Sequence, residues 1–347
     1  MLIGQELYAN FAAYMDINNN YSLLDRNTFG INAYADCFAE YRDVSELKSL
    51  LQIVKRPIFC MGGGSNLLFM NDFHGTILHS CIKSIEIIDE NEFSVFVKVG
   101  SGVVWDDFVE YCVEHDLWGV ENLSSIPGEV GASAVQNIGA YGVEVKDVIV
   151  RVNAVCLSDS SESVFSNEQC KYDYRSSIFK TELKGQFAVS YVTYELQKNP
   201  NPKLDYGLLK QTVENMSAVS LQNIRNAVYS IRNSKLPDPK ILGNAGSFFK
   251  NPVISDIEFK KLKDRFPDIP SYVVTDKEIK VPAGWLIEKC GWKGRSLGPA
   301  AVHDKQALVL VNLGGATGGD VKRLADKVIS DVKDLFNIML ETEVKYI

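Results

Sequence analysis

The sequence predicts an α+β fold, and three observations lead to that prediction. Short apolar runs typical of strands alternate with runs whose apolar residues have helical spacing. The two kinds of element segregate irregularly, which disfavours a doubly wound sheet built from repeated strand–helix–strand units. No internal repeat or low-complexity tract interrupts this pattern. With 347 residues, the chain has room for two or three domains of ordinary size.

The first eighty residues predict one helix and one strand before a glycine turn. Leu47, Leu50 and Leu51 have the spacing of a buried helix face within residues 45–53. The apolar run 56–60 predicts a strand, and residues 62–64 are three glycines. Glycines after a strand allow backbone N–H groups to approach a phosphate closely, so this turn is the first candidate binding loop.

The middle of the chain predicts a hairpin, a helix and a second glycine-rich loop. Residues 84–88 and 93–99 are strand-like and flank a polar turn at 89–92. Apolar residues at helical spacing then predict an amphipathic helix from Trp105 to Val113. The glycine-rich region 124–142 follows, and it offers both small residues and polar side chains to a ligand.

The last part of the chain predicts two long strands, a linker and two helices. Residues 148–157 and 186–196 are rich in strand-forming residues, and 199–202 reads Asn-Pro-Asn-Pro, typical of a linker. Residues 221–231 predict a helix before a rigid turn at 236–239. The final helix is predicted over 320–336 with Asp320 as its N-cap. Its predicted buried residues are Val321, Leu324, Val328, Val332 and Leu335.

Charge argues against a general affinity for nucleic acid or anionic lipid, because the net charge is −8. Basic residues nevertheless gather in two places, which indicates either ordinary solvated charge or a local anion site. The first group is Lys171, Arg175 and Lys180, and the second is Arg225, Arg232, Lys235, Lys240 and Lys250.

Location and metal content follow from what the sequence lacks. No stretch approaches the roughly 20 apolar residues of a membrane span, and residues 1–20 have no signal-peptide pattern, so the cytoplasm is expected. The seven cysteines are scattered, which predicts buried, reduced thiols. The four histidines show no ligand spacing, so no metal is expected. Nothing demands more than a monomer.

Neither glycine-rich segment matches a dinucleotide-binding or P-loop motif. This disfavours a Rossmann-type NAD site and P-loop ATP hydrolysis. Taken singly, each segment favours a tight turn over a cofactor cradle. The second is long, polar and flanked by apolar structure, which favours a nucleotide-type ligand.

Ten segments together resemble the UDP-N-acetylenolpyruvoylglucosamine reductase family of bacterial cell-wall synthesis. They occur in the family's order and cover almost the whole chain. Asp205-Tyr206-Gly207, in an insert after the second long strand, is similar to the family's first type. The segments are 27–30, 62–66, 126–142, 172–179, 236–240, 243–252, 283–288, 301–303, 306–312 and 340–341.

The resemblance implies two FAD-binding subdomains of the vanillyl-alcohol-oxidase type, at 1–82 and 83–200. A C-terminal α+β substrate-binding domain at 201–347 would follow, with the extreme C-terminus returning to the active site. It implies non-covalent FAD, because no histidine follows Gly64, and NADPH as reductant in ping-pong kinetics. The implied reaction converts the enolpyruvyl ether of UDP-N-acetylglucosamine, a small UDP-sugar, to UDP-N-acetylmuramate for peptidoglycan, and so serves cell shape, cell cycle and division.

The resemblance also implies residue roles. Ser247 would protonate the enol intermediate, while Arg175 and Glu341 would stabilise the developing dianion. Glu341 would have to be protonated, or hydrogen-bonded through a neighbour, for this, and an apolar site could raise its pKa. The implied cofactor residues are Gly62, Gly63, Gly64, Ser65, Asn66, Pro127, Gly128, Gly131, Ala132, Ser133, Gln136, Asn137, Gly139, Tyr141 and Gly142. The implied substrate residues are Tyr174, Tyr206, Arg232, Lys235, Asn251 and Gln306, with structural hydrogen bonding as the alternative for Tyr174, Arg232 and Gln306.

Two departures and two alternatives accompany this interpretation. Ala134 stands where many relatives have proline, and the chain ends soon after Glu341; neither change removes a chemical group. One alternative function is an oxidase of the same FAD fold, which fast reoxidation by air would reveal. The other is a non-catalytic sugar-nucleotide-binding or regulatory protein, which would have no need of Ser247, Arg175 and Glu341.

Overall fold

The computed structural model describes residues 16–216 and 218–347, which form two compact units. The first unit comprises the described part of 1–21 with Ala35–Gly63 and Phe73–Arg232, and the second comprises Ser22–Tyr34, Gly64–Asp72 and Asn233–Ile347. The chain thus passes between units at Gly63–Gly64, inside the first glycine turn. The predicted subdomain boundaries at 82 and 200 stay predictions.

The described residues form eight α-helices, four short 3-10 turns and twenty strands. The helices are α1 Val44–Leu51, α2 Trp105–Glu114, α3 Val130–Gln136, α4 Leu209–Glu214, α5 Leu221–Lys235, α6 Asp256–Arg265, α7 Ala283–Lys289 and α8 Gly318–Phe336. The 3-10 turns are Leu24–Arg26, Glu121–Leu123, Val145–Asp147 and Ile178–Lys180. The strands are β1 Asp16–Ser22, β2 Tyr34–Tyr41, β3 Ile58–Met61, β4 Leu67–Leu68, β5 Phe73–Ser80, β6 Ile85–Glu90, β7 Ser94–Gly100, β8 Gly139–Ala140, β9 Val143–Glu144, β10 Ile149–Cys156, β11 Glu162–Ser166, β12 Phe187–Gln197, β13 Gly243–Ser247, β14 Val253–Ser255, β15 Tyr272–Thr275, β16 Glu278–Lys280, β17 Ser296–Leu297, β18 Ala300–Val302, β19 Val309–Asn312 and β20 Lys345–Tyr346.

The first sheet has the order β1-β2-β5-β3, and β5 is parallel to both β2 and β3. The predicted helix and strand are confirmed as α1 and β3, and Leu47, Leu50 and Leu51 are buried. Parallel strands end at the same edge of a sheet. The register aligns Glu40, His79 and Met61 in one row close to that edge, immediately before the first glycine turn.

The second sheet has the order β11-β10-β12-β7-β6, with antiparallel pairing throughout. It confirms the predicted hairpin and both long strands. Helix α3 packs on β12 and β7. Trp105 and Phe108 of α2 pack on Tyr194 of β12 with ring centroids 6.1 and 4.7 Å apart, so aromatic burial fixes α2 against this sheet. Because α3 lies within the second glycine-rich region, 124–142, this core also holds that region.

Helix α5 is four residues longer than predicted and ends at Lys235. Its buried face carries Leu221, Ile224 and Val228, which pack with Leu209 and Val213 of α4. The prediction stopped early because the last turn consists of polar residues, which gave no apolar signal.

The second unit contains the sheet β13-β19-β18-β17, on which α8 packs, and the smaller sheet β14-β16-β15. Phe266 directly after α6, Trp285 of α7 and Phe336 of α8 form an aromatic cluster, with 4.8 Å between the rings of Phe266 and Phe336. The short strand β20 pairs in parallel with β4, and Lys345 is the partner of Leu67. This pairing ties the segment after the first glycine turn to the rest of the unit.

Asp320 is not the N-cap of the last helix, so that prediction is wrong. The helix begins at Gly318, and Thr317 is the N-cap. The Thr317 hydroxyl accepts from the Asp320 N–H, and the Asp320 carboxylate accepts from the Thr317 N–H, which is a reciprocal capping box. At its other end Phe336 is buried, whereas the predicted Leu335 is only half-buried.

All seven cysteines are free, as predicted, but only three are buried. Cys37, Cys112 and Cys170 lie in the core, while the other four are half-buried because they lie in strands or turns near the surface. None of the helices in 16–216 or 218–347 combines the length and apolar character that a bilayer crossing demands.

Candidate active site

The two glycine turns of the first unit lie against each other. A Cβ atom on Gly63 would lie 3.5 Å from the Cα of Gly128. One on Gly62 would lie 3.2 Å from Glu129 Oε2 and 3.3 Å from the Cβ of Ala132. Turns without side chains leave their backbone N–H groups accessible, and such groups bind phosphate well. The geometry therefore suits a diphosphate.

The polar side chains of the second loop are used within the fold. The Ser133 hydroxyl donates to the Val130 carbonyl at 2.7 Å, and the Asn137 amide donates to the Asp173 carbonyl at 2.8 Å and to Glu144 at 3.0 Å. Both side chains are buried. These residues therefore shape the loop, and their predicted contact with the cofactor stays a prediction.

Arg175 is held in an unusual conformation beside Gly139. Its backbone is left-handed, with φ of +53°, which for a residue other than glycine costs about 1–2 kcal/mol. Its guanidinium donates to the carbonyls of Gly139 and, at 3.4 Å, of Asn137. A Cβ on Gly139 would lie 2.8 Å from Arg175 Nη1. Gly139 therefore provides the room that this guanidinium occupies.

Arg232 lies near Arg175 with part of its guanidinium buried. None of the described residues accepts a hydrogen bond from its buried Nε. Burial lowers the pKa of Arg232; the nearby Tyr141 and Asp106 oppose this, and the charge of Arg175 adds to the lowering. Two guanidinium groups in such proximity favour an anion between them.

Asp106 anchors helix α5 to the second glycine-rich loop. Its carboxylate accepts from Arg225 at 2.8 and 3.1 Å, from the Tyr229 hydroxyl, and from the N–H of Ser125 at 2.5 Å. Arg225, Tyr229 and Arg232 recur every three or four residues and so share one helix face. The anchor therefore fixes the rotation of the helix that carries Arg232.

Tyr206 stands edge-on to Tyr141, with their ring centroids 6.2 Å apart, and is 43% exposed. The amide of Asn122 donates to the carbonyls of Tyr141 at 2.9 Å and Lys203 at 2.7 Å. This buried asparagine ties the Tyr206 insert to the second loop and was not predicted, because its polar surroundings in the sequence gave no signal. Tyr174 is half-buried, its ring 5.5 Å from the Arg175 guanidinium.

In the second unit, a β-bulge presents Ser247. Asn244 pairs with Val311 and Ser247 with Val309, so one extra residue bulges out of β13 at the left-handed Gly246. The Asn244 side chain accepts from the Gly246 N–H at 2.9 Å and so holds the bulge. Ser247 is half-buried, and its hydroxyl has no hydrogen-bond partner among the described residues.

Glu341 lies on the segment that pairs with the residues after Ser247. The Lys250 N–H donates to the Glu341 carbonyl at 2.9 Å, and Phe249 bridges to Thr342. The Glu341 side chain is 75% exposed and lies 3.4 Å from Lys250 Nζ. Solvent and the ammonium group of Lys250 therefore surround the Glu341 carboxylate, and its expected role in catalysis stays a prediction.

Asn251 and Gln306 both lie at the start of helix α7. The Asn251 side chain accepts from the Ala283 N–H at 2.9 Å, and that of Gln306 accepts from the Leu308 N–H at 3.3 Å. A Cβ on Gly284 would lie 3.1 Å from Gln306 Oε1. Their carbonyl oxygens are thus used structurally, which agrees with the structural alternative for Gln306. Lys235 is exposed at the last residue of α5.

Gly64 and Asn66 complete the first glycine turn within the second unit. Gly64 has a φ of +62°, and a Cβ there would lie 1.9 Å from the Arg26 carbonyl oxygen, so only glycine fits. The Thr28 N–H donates to the Gly64 carbonyl at 3.3 Å, and the Asn66 amide donates to the Glu343 carbonyl at 3.2 Å. The segment 27–30 is therefore a support for this turn, which also includes Ser65.

Comparison with known proteins identifies similar chains. Residues 35–161 match the FAD binding domain family, and residues 238–347 match the C-terminal domain of UDP-N-acetylenolpyruvoylglucosamine reductase. The reductase of Bacteroides fragilis (strain YCH46) is 51% identical and covers 95% of this chain and 100% of its own length. The reductase of Porphyromonas gingivalis (strain ATCC 33277) is 49% identical, and the match covers 96% of this chain and 100% of the relative. The solved reductase from Thermus caldophilus has the same fold, with a TM-score of 0.68 at 22% identity over 96% and 99% of the two chains.

Proposed function

The chain belongs to the UDP-N-acetylenolpyruvoylglucosamine reductase family, and on that premise we propose which of its residues carry the reaction. The protein is an FAD-dependent oxidoreductase that reduces the enolpyruvyl ether of UDP-N-acetylglucosamine in peptidoglycan synthesis. NADPH as the reductant, the cytoplasm as location, a monomeric state and the link to cell cycle and division are parts of the proposal.

The two glycine turns fit the cofactor. Gly63 faces Gly128, and neither residue has a side chain. Gly62 also has none, so a diphosphate could approach the backbone of both turns closely. No histidine is present at 64–66 to tether a flavin, so FAD would be held without a covalent bond. When bound, FAD supplies the hydride from its N5 atom.

Arg175 and Arg232 are proposed to bind the negative charge of the substrate. Reducing a double bond conjugated to a carboxylate places further charge on that carboxylate in the transition state. An arginine fork binds a carboxylate through two parallel hydrogen bonds. The buried Nε of Arg232, for which no described residue is an acceptor, supports the assignment because it remains a donor for an anion. The strained backbone of Arg175 supports it because such strain concentrates at functional sites.

Ser247 is proposed to donate the proton. The observation that carries this assignment is the bulge at Gly246 directly before Ser247, whose hydroxyl has no hydrogen-bond partner among the described residues. A serine hydroxyl is a weak acid, so its contribution depends on position. Lys250 beside Glu341 is proposed to offset the carboxylate charge that would otherwise oppose the developing dianion.

Tyr206, Lys235 and Asn251 are proposed to hold the uridine diphosphate, with Tyr174 and Gln306 as additional contacts. Lysine offers a point charge to a diphosphate, and the free amide of Asn251 remains a donor once its carbonyl caps α7. The exposed ring of Tyr206 is suited to cover a bound nucleotide and exclude water.

The test separates the two half-reactions under anaerobic conditions. Ser247→Ala is expected to leave bleaching of the bound flavin by NADPH nearly unchanged. Reoxidation by the enolpyruvyl sugar nucleotide is expected to slow by about 10²–10⁴-fold, the usual contribution of a positioned acid. Stopped-flow absorbance of the flavin measures both rates.

Ser163→Ala on β11 is the control and should leave both rates at wild-type values. Equal loss in the two half-reactions of the Ser247 variant would contradict the proposed role. A colourless purified protein that binds no FAD would contradict the function itself.

A further inference from the structure

His79 lies between two carboxylates close to the glycine turns, and the reaction described above does not use it. Its Nδ1 is 2.8 Å from Glu40 Oε1, and its Nε2 is 2.9 Å from Glu129 Oε1. The three side chains are only 10, 17 and 8% exposed, in the order His79, Glu40 and Glu129. A buried charged cluster of this kind requires a physical explanation.

This geometry suits the imidazolium form of His79 between two carboxylates. A neutral imidazole has one N–H donor, so one of its nitrogens would face a carboxylate with no proton between them; the imidazolium donates to both. Burial lowers the pKa of His79, but hydrogen bonds and charges from Glu129 and Glu40 outweigh burial and raise it overall. Among the other neighbours, Cys81 Sγ lies 3.9 Å from Nδ1, the ring of Phe38 lies at 6.0 Å, and Met61 is the register partner on β3. The charges of Arg42 and Lys83 act on Cys81, and the charge of Glu129 acts on Tyr41.

The cluster is not a metal site, although Glu40, His79 and Cys81 place ligating atoms within 4.8 Å of one another. Ligand atoms around a tetrahedral zinc ion lie about 3.3 Å apart, given zinc–ligand distances near 2 Å. The 2.8 Å between His79 Nδ1 and Glu40 Oε1 is instead a hydrogen-bond distance. The positive charge between the carboxylates is therefore the proton on His79.

Glu129 connects this cluster to the place where FAD binds. The residue follows Gly128 in the second glycine turn, and its Oε2 is 3.2 Å from the position of a Cβ on Gly62. A carboxylate beside two turns that suit a diphosphate would repel that diphosphate unless its charge were balanced. His79 supplies the balancing charge from the carboxyl edge of the parallel sheet.

We propose that His79 is a positioning residue for flavin binding, which acts as an imidazolium. By binding Glu40 and Glu129 together, it holds the second glycine turn against the first and neutralises the carboxylate beside the FAD diphosphate. FAD affinity is then tied to protonation of His79. This inference rests on FAD binding at the two turns.

The test is titration of the apoprotein with FAD at pH values between about 6 and 9. Quenching of flavin fluorescence reports binding and gives the FAD Kd at each pH. Because the raised pKa marks a group that stabilises the fold when protonated, the stabilisation is present at low pH and lost as pH rises through that pKa. The FAD Kd of the wild type is expected to rise at high pH, by about tenfold for each unit by which bound FAD raises the pKa.

The glutamine of His79→Gln is neutral at every pH. The FAD Kd of this variant is therefore expected to be about tenfold higher than that of the wild type at low pH and to show no pH dependence. His74→Gln is the matched control. His74 is on the same strand and lies 3.1 Å from Asp36, but its side chain is 83% exposed. The control should bind FAD with the wild-type affinity and pH profile.

Glu129→Gln decides the question if the His79 variant does not fold. It keeps a hydrogen-bond acceptor for His79 but removes the charge beside the diphosphate, so FAD should still bind and most of the pH dependence should disappear.

Wild-type affinity and pH profile in both variants would overturn the inference, as would a flat wild-type profile. A change in FAD Kd on adding zinc or EDTA would overturn it in favour of a metal. Failure of the wild type to bind FAD at any pH would contradict the proposed function instead.

Discussion

Gly139 shows how one absent methyl group determines the position of a functional side chain. A Cβ at this residue would lie 2.8 Å from Arg175 Nη1 and 2.9 Å from the Val143 carbonyl oxygen. Because the carbonyl belongs to the backbone and cannot move far, the guanidinium is the group that would be displaced. With Arg175 as the proposed substrate ligand, the glycine would have a role in substrate binding as well as in the loop.

Gly139→Ala is therefore expected to slow reoxidation of the reduced enzyme by the sugar nucleotide by up to about a hundredfold, the cost of misplacing a reacting group by roughly 1 Å. Arg175→Lys is the comparison, because it keeps the charge, loses the fork and leaves Gly139 intact. Stopped-flow absorbance gives both rates. Near-normal reoxidation in Gly139→Ala together with a slow Arg175→Lys would show that the glycine does not position the arginine.

Single residues were partly predictable from sequence. The glycines of both turns were found because a missing Cβ leaves a recognisable pattern, but the pattern does not reveal what approaches the backbone. Gly64 makes room for the Arg26 carbonyl, and Gly139 for a guanidinium. His79 was not predicted at all, because its partners Glu40 and Glu129 come from separate segments and form no spacing motif.

Helix α5 depends on the single carboxylate of Asp106. Arg225, 7% exposed, pairs with this carboxylate, which is 21% exposed. Removing one partner of a buried ion pair leaves an uncompensated charge, which costs about 3–5 kcal/mol. The same change removes the contacts that orient the helix face with Arg232, so the affinity for substrate should fall as well.

Asp106→Ala is thus expected to lower the free energy of unfolding by about 3–5 kcal/mol, measured by urea denaturation of the apoprotein. Lys171→Ala is the control, because Lys171 and Glu182 form a bridge of similar length, 2.8 Å, whose side chains are 58 and 60% exposed. An exposed bridge contributes about 0–1 kcal/mol. Equal losses in the two variants would contradict an anchoring role for Asp106.

Elements were easier to predict than their ends. Apolar periodicity identified α1, α2, the hairpin β6–β7 and the two long strands, because each buries one face. The start of α8 was misplaced because threonine and aspartate three residues apart both fit an N-cap, and only backbone geometry distinguishes cap from third residue. The bulge before Ser247 had no sequence signal beyond Gly246.

The second unit as a whole is assembled from three separate stretches of chain. Residues 22–34 and 64–72 join 233–347. A Cβ on Gly243 would lie 2.3 Å from the Phe29 carbonyl oxygen, and one on Gly318 would lie 2.0 Å from that of Phe69. The composition did not indicate that residues 22–34 and 64–72 belong to this unit. The family resemblance implied a contiguous domain from residue 201.

A fragment of residues 233–347 is therefore expected not to unfold cooperatively by itself. Without the two early segments, the apolar side chains that face Phe29 and Phe69 would be exposed to water. Circular dichroism during thermal denaturation of the fragment, with the full chain as the control, measures this. A sharp transition in the fragment at the temperature of the full chain would contradict the dependence.

The pairing of β20 with β4 also has a consequence for folding kinetics. Asn66 and Glu343, which flank it, are 277 residues apart in sequence, so their contact has one of the largest loop-closure costs available to this chain. Long-range contacts of this kind slow folding. The segment after the first glycine turn should accordingly be among the last to become ordered during refolding, and retention of flavin should lag behind formation of the antiparallel sheet.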